Sequence, residues 1–163
     1  MSEDVRPVVA AFDGSPESTA AVREAAALFG HRPIVVLTVW EPNLATAIAT
    51  TPDVMGTPYS LPNPEDVETV DRIREDHAAA VAQSGAELAR SLGATAEPLV
   101  IGDGLNVADT VASVAKERDA AAIVVGSRGL GAVKARLMGS TSRRLLHDSP
   151  RPILVVPSHH DHD

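Results

Sequence analysis

The chain contains no cysteine and very few aromatic residues. Without cysteine there can be no disulfide, no thiolate-bound metal and no cysteine nucleophile. Aromatic residues make up 2% of the 163 residues, so the core must be built from Ala, Val, Leu and Ile. This composition suits helices packed on a Val-rich sheet, and the length predicts one domain.

Long hydrophobic runs and a basic leader are also absent. No apolar stretch approaches the length that spans a bilayer. The first residues, MSEDVRPVV, are acidic, unlike the start of a secretory signal. We therefore expect a cytoplasmic protein without a membrane partner.

Positive charge is scarce overall but concentrated locally. The formal net charge is -8, which argues against nucleic acid as a partner because its phosphates would be repelled. No acidic residue occurs between Asp119 and Asp148. Five cations lie in this interval: Arg128, Lys134, Arg136, Arg143 and Arg144. A compact anion could bind to such a segment.

Apolar runs alternate along the chain with segments of helical periodicity. The runs predict strands over residues 5–12, 33–40, 94–102, 121–126 and 151–157. The periodic segments predict helices over residues 16–29, 65–92, about 106–115 and 140–149. The alternation predicts an α/β domain over residues 1–157: a doubly wound, Rossmann-like, five-stranded parallel sheet in the order 3-2-1-4-5, with helices on both faces.

Two segments depart from this pattern. Residues 41–64 hold five prolines, which excludes a helix or a central strand and predicts a long loop, either a lid or an insertion. Residues 158–163 predict a disordered tail. Its histidines are chemically suited to a transition metal, but a solvated tail is the favoured interpretation.

The segment GSRGLGAVKARLMGSTS begins at the end of the predicted fourth strand. Gly126 and Gly129 carry no Cβ, so the backbone there can turn sharply and approach a ligand closely. Gly139, Ser140 and Thr141 open a helix, where free N–H groups and the helix dipole favour negative charge. Together these features predict a cradle for phosphate.

The position of this glycine segment in the predicted sheet supports a phosphate site more than any established motif does. The sequence has no GxxxxGK[ST], and the first turn, FDGSPES, has one glycine where a dinucleotide fingerprint would have GxGxxG. With the strand order above, the winding direction reverses between strands one and four, which end at Asp13 and Gly126. These two distant stretches should therefore meet at one crevice.

The spacing Gly126-x2-Gly129-x9-Gly139-Ser140 resembles that of the ATP-binding branch of the universal stress protein family. FDGS near the N-terminus and the ending SPRPILVVP add to the likeness, which covers almost the whole chain. The resemblance implies a five-stranded parallel sheet, bound ATP with Mg²⁺, and a homodimer formed through strand 151–157. It also implies a stress-response regulator that acts through nucleotide-dependent conformation, dimerisation or partner binding.

The same resemblance assigns residues to parts of the nucleotide. It implies that Asp13 lies by the nucleoside, that the Val39 backbone reads the adenine edge, and that Gly126 lies on the ribose side. Thr141 stands where Val is common, and its amide would serve equally. Arg128 occupies a variable position of the motif and is a further candidate contact. The residues implied on the phosphate side are Gly129, Gly139, Ser140 and Thr141.

Alternatives remain open for individual residues and for the function. Asp13 could simply stabilise the DGSP turn, Trp40 could stack on a base or plug the end of the sheet, and Arg143 and Arg144 could be a surface pair. Phosphoryl transfer usually needs several carboxylates, and only Asp13 and Asp103 fall near the predicted site. We expect a binding protein with at most weak ATP hydrolysis. The alternatives are a slow ATPase or phosphotransfer enzyme, a cAMP-binding protein, and a nucleotide-free dimeric scaffold.

Overall fold

The computed structural model of the chain describes residues 5–42, 63–102, 106–127 and 139–157. In these ranges the strands are β1 (Val8–Ala11), β2 (Ile34–Trp40), β3 (Ala96–Gly102), β4 (Ala122–Gly126) and β5 (Ile153–Val156). The helices are α1 (Pro16–Phe29), α2 (Pro64–Ser91), α3 (Val107–Glu117) and α4 (Ser140–Asp148). Most of the predicted loop over residues 41–64, and all of the predicted tail, lie outside the described residues.

The strands form one parallel sheet in the order β3-β2-β1-β4-β5. Val8 at the start of β1 lies opposite both Ile34 of β2 and Ala122 of β4. Because every pairing is parallel, the carboxyl ends of all five strands meet at the same edge of the sheet. The predicted fold class and strand order are confirmed.

Two apolar clusters, one on each face of the sheet, form the core. Val8 and Ala10 of β1 pack beneath α1 and α2, while Val9 packs beneath α3 and α4. This alternation follows from the strand geometry, in which successive side chains point to opposite faces. The core is built almost entirely from Val, Ala, Ile and Leu, as the shortage of aromatic residues predicts.

Short polar residues determine where two of the helices begin. The Ser15 hydroxyl accepts a hydrogen bond from the Ser18 amide at 3.1 Å, and Pro16 occupies the first turn of α1. The Asn106 side chain accepts a hydrogen bond from the Ala108 amide at 2.9 Å and caps α3 in the same way. Among the described helices, none is long and apolar enough to span a bilayer.

Helix α2 approaches the sheet very closely at Gly85. A Cβ atom on this residue would lie 2.6 Å from Cδ1 of Phe12 and 2.8 Å from Cγ1 of Val36. Both neighbours are buried in the core. The missing side chain is therefore what allows α2 to rest directly on β1 and β2.

We expect Gly85→Ala to destabilise the protein although alanine is the better helix former. The gain of about 1 kcal/mol in helix propensity is opposed by overpacking against two buried side chains, which typically costs about 1–3 kcal/mol. Because both contacts would fall below 3.0 Å, we expect a cost in the upper half of that range, and urea unfolding should show a net loss of about 1–2 kcal/mol. The control Ser84→Ala changes an exposed neighbour and should alter the free energy of unfolding by less than about 0.5 kcal/mol. A Gly85→Ala variant as stable as the parent would contradict the close approach.

Candidate functional site

A cavity of about 260 Å³ opens at the carboxyl edge of the sheet, beside the ends of β1 and β4. This is the point at which the winding direction reverses, and ligands of open α/β sheets bind there. Its volume lies just below the range of about 300–1,000 Å³ that is usual for small-molecule pockets. The volume therefore suits one compact part of a ligand, such as a nucleoside.

Much of the cavity wall is apolar. Strand β2 contributes Leu37 and Val39, β4 contributes Val125, and α3 contributes Val107 and Val111. An apolar wall of this kind suits a planar ring such as a nucleobase. Val39, which the family resemblance assigns to the adenine edge, is therefore in the cavity wall, and its contact with a base stays a prediction. The predicted helix over about 106–115 contains Val107 and Val111, but the sequence does not show that they line a cavity, because their helical spacing is the same whether they face the core or a cavity.

Asp13 lies in the turn between β1 and α1 and also lines the cavity. Its Oδ1 accepts a hydrogen bond from the Ser15 amide at 2.9 Å. Gly14 between them has φ of +80°, a conformation that glycine adopts without strain. The interpretation that Asp13 stabilises its own turn is therefore confirmed, and this turn also presents the carboxylate to the cavity. Its contact with a nucleoside stays a prediction.

Gly126 closes β4 against the first turn of α1. A Cβ atom on it would lie 2.7 Å from both the carbonyl carbon and the carbonyl oxygen of Glu17. Among the described glycines, positive φ occurs at Gly14 and Gly93 and not at Gly126. The glycine is therefore required by a close approach of backbones, not by the sharp turn that its sequence context suggests.

The N-terminus of α4 lies directly over the end of β4. The Ser142 hydroxyl, 3% exposed, donates to the Gly126 carbonyl at 2.8 Å. The Gly139 amide donates to the Ser127 carbonyl, also at 2.8 Å. Sequence reasoning missed Ser142, since nothing in the sequence distinguishes a serine that ties a helix to a strand from one that faces solvent.

No side chain caps the start of α4, in contrast with α1 and α3. Gly139 occupies the N-cap position and can offer no side-chain acceptor. Thr141 in the first turn lines the cavity. The first-turn amides of this helix, including those of Ser140 and Thr141, are therefore available to an anion.

Trp40 is the last residue of β2, the strand that contributes Leu37 and Val39 to the cavity, but its side chain packs on β3. A Cβ atom on Gly102 of β3 would lie within 3.1–3.2 Å of the Trp40 indole. Val39, the residue before it, is the one that lines the cavity. Because neighbouring side chains of a strand point to opposite faces, the structure favours the interpretation that Trp40 plugs the end of the sheet.

Of the five cations between Asp119 and Asp148, only Arg143 and Arg144 are among the described residues. Arg128 and Gly129, both predicted site residues, lie outside them, as do Lys134 and Arg136. Arg144 is half exposed and forms an ion pair with Asp109, which favours a surface position over a phosphate contact for that arginine. Across the described part of the chain there is no group of three or more His, Asp or Glu side chains suited to hold a metal.

Comparison with known structures supports the fold. The universal stress protein UspA of Lactobacillus plantarum matches with a TM-score of 0.69 at 16% identity, over 94% of this chain and 99% of that one. The Archaeoglobus fulgidus universal stress protein in complex with dAMP matches with a TM-score of 0.58 at 23% identity, over 92% and 96%. An Arabidopsis thaliana family protein with AMP bound gives 0.58 at 17% identity, over 95% and 93%. A universal stress protein in complex with cAMP gives 0.63 at 21% identity, over 96% and 100%.

Comparison of sequences gives the same family. A curated relative, the universal stress protein in the QAH/OAS sulfhydrylase 3' region of Thermus aquaticus, is 28% identical over 155 residues. The alignment covers 93% of this chain and 98% of the relative. The family model of the universal stress protein family matches residues 4–157. With nearly its whole length matched, the chain belongs to the universal stress protein family.

Proposed function

We propose that this protein binds an adenine nucleotide in the cavity beside β1 and β4, and that nucleotide occupancy regulates its conformation, dimer or partner binding in a cytoplasmic stress response. The observation that carries the proposal is the meeting of two chemically different surfaces in one cavity. Apolar side chains of β2 and α3 suit a base, and the uncapped N-terminus of α4 suits a phosphate. The dAMP, AMP and cAMP of the related structures combine these two parts.

The proposed nucleotide is ATP, accompanied by Mg²⁺. Magnesium usually binds through substrate phosphates and one or two carboxylates. Among the described residues of the cavity wall, Asp13 is the acidic side chain, and its Oδ1 is engaged by the Ser15 amide. The ion would therefore be held mainly by the phosphates. Gly126, Gly129, Gly139, Ser140 and Thr141 are the proposed ribose and phosphate contacts, with Arg128 as a further candidate.

Calorimetry on nucleotide-stripped protein tests the proposal. We expect Mg-ATP to bind saturably at one site per chain, and GTP to bind more weakly, since the nucleotides of the related structures all carry adenine. Tighter binding of cAMP would transfer the proposal to that ligand. Absence of heat with any of the three, at protein concentrations that detect a Kd of roughly 1 μM, would contradict nucleotide binding and favour the dimeric scaffold. Phosphate release from the ATP complex should be very slow or undetectable.

Asp13→Asn tests the role of the carboxylate without removing the turn. The Asn side-chain oxygen can still accept the Ser15 amide, while the negative charge is lost and the second carboxylate oxygen is replaced by an NH2 group. We expect ATP affinity to fall about tenfold, the lower end of what hydrogen bonds to charged groups contribute. Asp76→Asn, an exposed position on α2, is the charge-matched control and should bind like the parent. Equal ATP affinity of Asp13→Asn and the parent would contradict the role assigned to Asp13.

The proposed homodimer depends on which edge of the sheet is open. Strand β3 forms one edge, and its Ala96 carbonyl already accepts a hydrogen bond from the Arg90 side chain at 2.9 Å. The Thr95 carbonyl faces β2, where it accepts from the Ile34 amide at 2.8 Å. By alternation Pro98 faces outward, and it has no N–H to donate. A proline and an occupied carbonyl are typical protections of an edge strand.

The opposite edge, β5, has no comparable protection in its sequence, ILVV. The carbonyls of Pro152 and Val156 accept hydrogen bonds of 2.8 Å from the β4 side of the sheet. By alternation the backbone groups of Ile153 and Val155 face outward, away from β4. These apolar residues are only partly buried in one chain. The open ladder and the apolar side chains support pairing with a second copy.

Val155→Pro should separate the dimer and leave the fold intact. Proline removes the outward N–H that a partner strand would use, and the hydrogen bonds to β4 remain. Light scattering should give twice the chain mass of 17.0 kDa for the parent and a value near 17.0 kDa for the variant. The control Val155→Thr keeps the N–H and should remain dimeric. A monomeric parent, or a proline variant that still dimerises, would contradict pairing through β5.

A further inference from the structure

An ion pair joins the two helices that wall the cavity on one face of the sheet. Arg144 of α4 donates through Nε to Oδ1 of Asp109 at 3.1 Å and through Nη2 to Oδ2 at 2.9 Å. Asp109 lies in the first turn of α3. Two parallel hydrogen bonds between a guanidinium and a carboxylate fix the relative orientation of the two groups as well as their distance.

The pair joins α3 and α4 at the level of the residues that line the cavity. Asp109 falls between Val107 and Val111, which line the cavity from α3, and Arg144 follows Thr141 and Ser142, which line it from α4. In each helix, the residue that forms the ion pair is therefore two or three residues along the chain from residues that line the cavity. A change in the separation of Asp109 and Arg144 would change the width of the cavity.

Within the described residues, Arg144 has one further acidic neighbour, Asp148 of the same helix, with Nε 4.0 Å from Oδ2. Both members of the Asp109–Arg144 pair are about half exposed, at 55% and 50% of the side chain. Such a pair adds little to global stability. The pair nevertheless fixes how α3 and α4 lie relative to each other, and the first turns of both helices line the cavity.

We infer that Asp109 and Arg144 are positioning residues, which hold the start of α4 at the distance from α3 that a bound nucleotide requires. The inference rests on the proposed function, because it concerns the same cavity. In this arrangement Arg144 acts through the helix and not by direct contact with phosphate. Since binding and pairing favour the same separation of the helices, each should strengthen the other.

The direction in which Asp109→Asn changes the affinity for ATP distinguishes a positioning role from direct charge attraction. Asp109→Asn removes a negative charge near an anion site and frees Arg144, so a purely electrostatic role predicts tighter binding of ATP. Loss of a positioning contact predicts weaker binding. From the energies of exposed ion pairs we expect the Kd for Mg-ATP to rise about two- to fivefold.

Calorimetric titration of the full chain with Mg-ATP provides the test. Asp109→Asn and Arg144→Gln should each weaken binding by that factor, and the exchanged pair Asp109→Arg with Arg144→Asp should bring the Kd back toward that of the parent. Arg144→Lys keeps the charge but loses the bidentate geometry, so it should bind as weakly as Arg144→Gln. Arg118→Gln is the matched control, since Arg118 forms an exposed pair with Glu97 at 2.8 Å and contributes nothing to the cavity wall.

Each remaining outcome overturns a distinct statement. Tighter binding by Asp109→Asn, or full affinity in Arg144→Lys, would show that Arg144 acts as a charge and not through position. Unchanged affinity in both Asp109→Asn and Arg144→Gln would show that the pair is a surface contact without a role in nucleotide binding. Failure of the parent itself to bind ATP would overturn the proposed function, and with it this inference.

Thermal unfolding gives a second, independent readout. A double-mutant cycle over Asp109→Asn and Arg144→Gln should yield a larger coupling with saturating Mg-ATP than without it, because the nucleotide favours the paired arrangement. A merely structural pair would give the same coupling in both conditions. Equal coupling with and without nucleotide would therefore contradict the inference even if both variants fold normally.

Discussion

The parallel pairing of β1 with β4 is the constraint on which the rest of the site depends. Val8, Val9 and Ala10 lie opposite Ala122, Ile123 and Val124. After these neighbouring strands the chain continues to opposite faces of the sheet. Helix α1, which follows β1, packs on one face, and α4, which lies over the end of β4, packs on the other. A gap must therefore remain between the two departing segments, and the cavity occupies this gap.

Close packing of small residues sets the shape of the gap. Gly126 allows the backbone of α1 to contact the end of β4, and Gly85 allows α2 to press on Phe12, which itself lines the cavity. A core of Ala and Val lets helices sit close to the sheet, so the walls are defined by backbone positions more than by large side chains. The described part of the site consequently presents helix-terminal amides and short side chains.

Much of this arrangement was predictable from local sequence signals. The alternation of Val-rich runs with helical stripes predicts the sheet, and the strand order brings Asp13 and Gly126 to one edge. Local signals could not predict contacts between distant helices. The bond from Ser142 to Gly126, the reason for glycine at position 126, and the pair of Asp109 with Arg144 all depend on how helices pack after the sheet has formed.

Amide chemical shifts of ¹⁵N-labelled protein would locate the proposed nucleotide. During titration with Mg-ATP, we expect the largest shifts at Ser140 and Thr141 in the first turn of α4, and at Gly14 and Gly126 beside the ends of β1 and β4. Saturable binding with the largest shifts elsewhere, for example along the exposed half of α2, would contradict it.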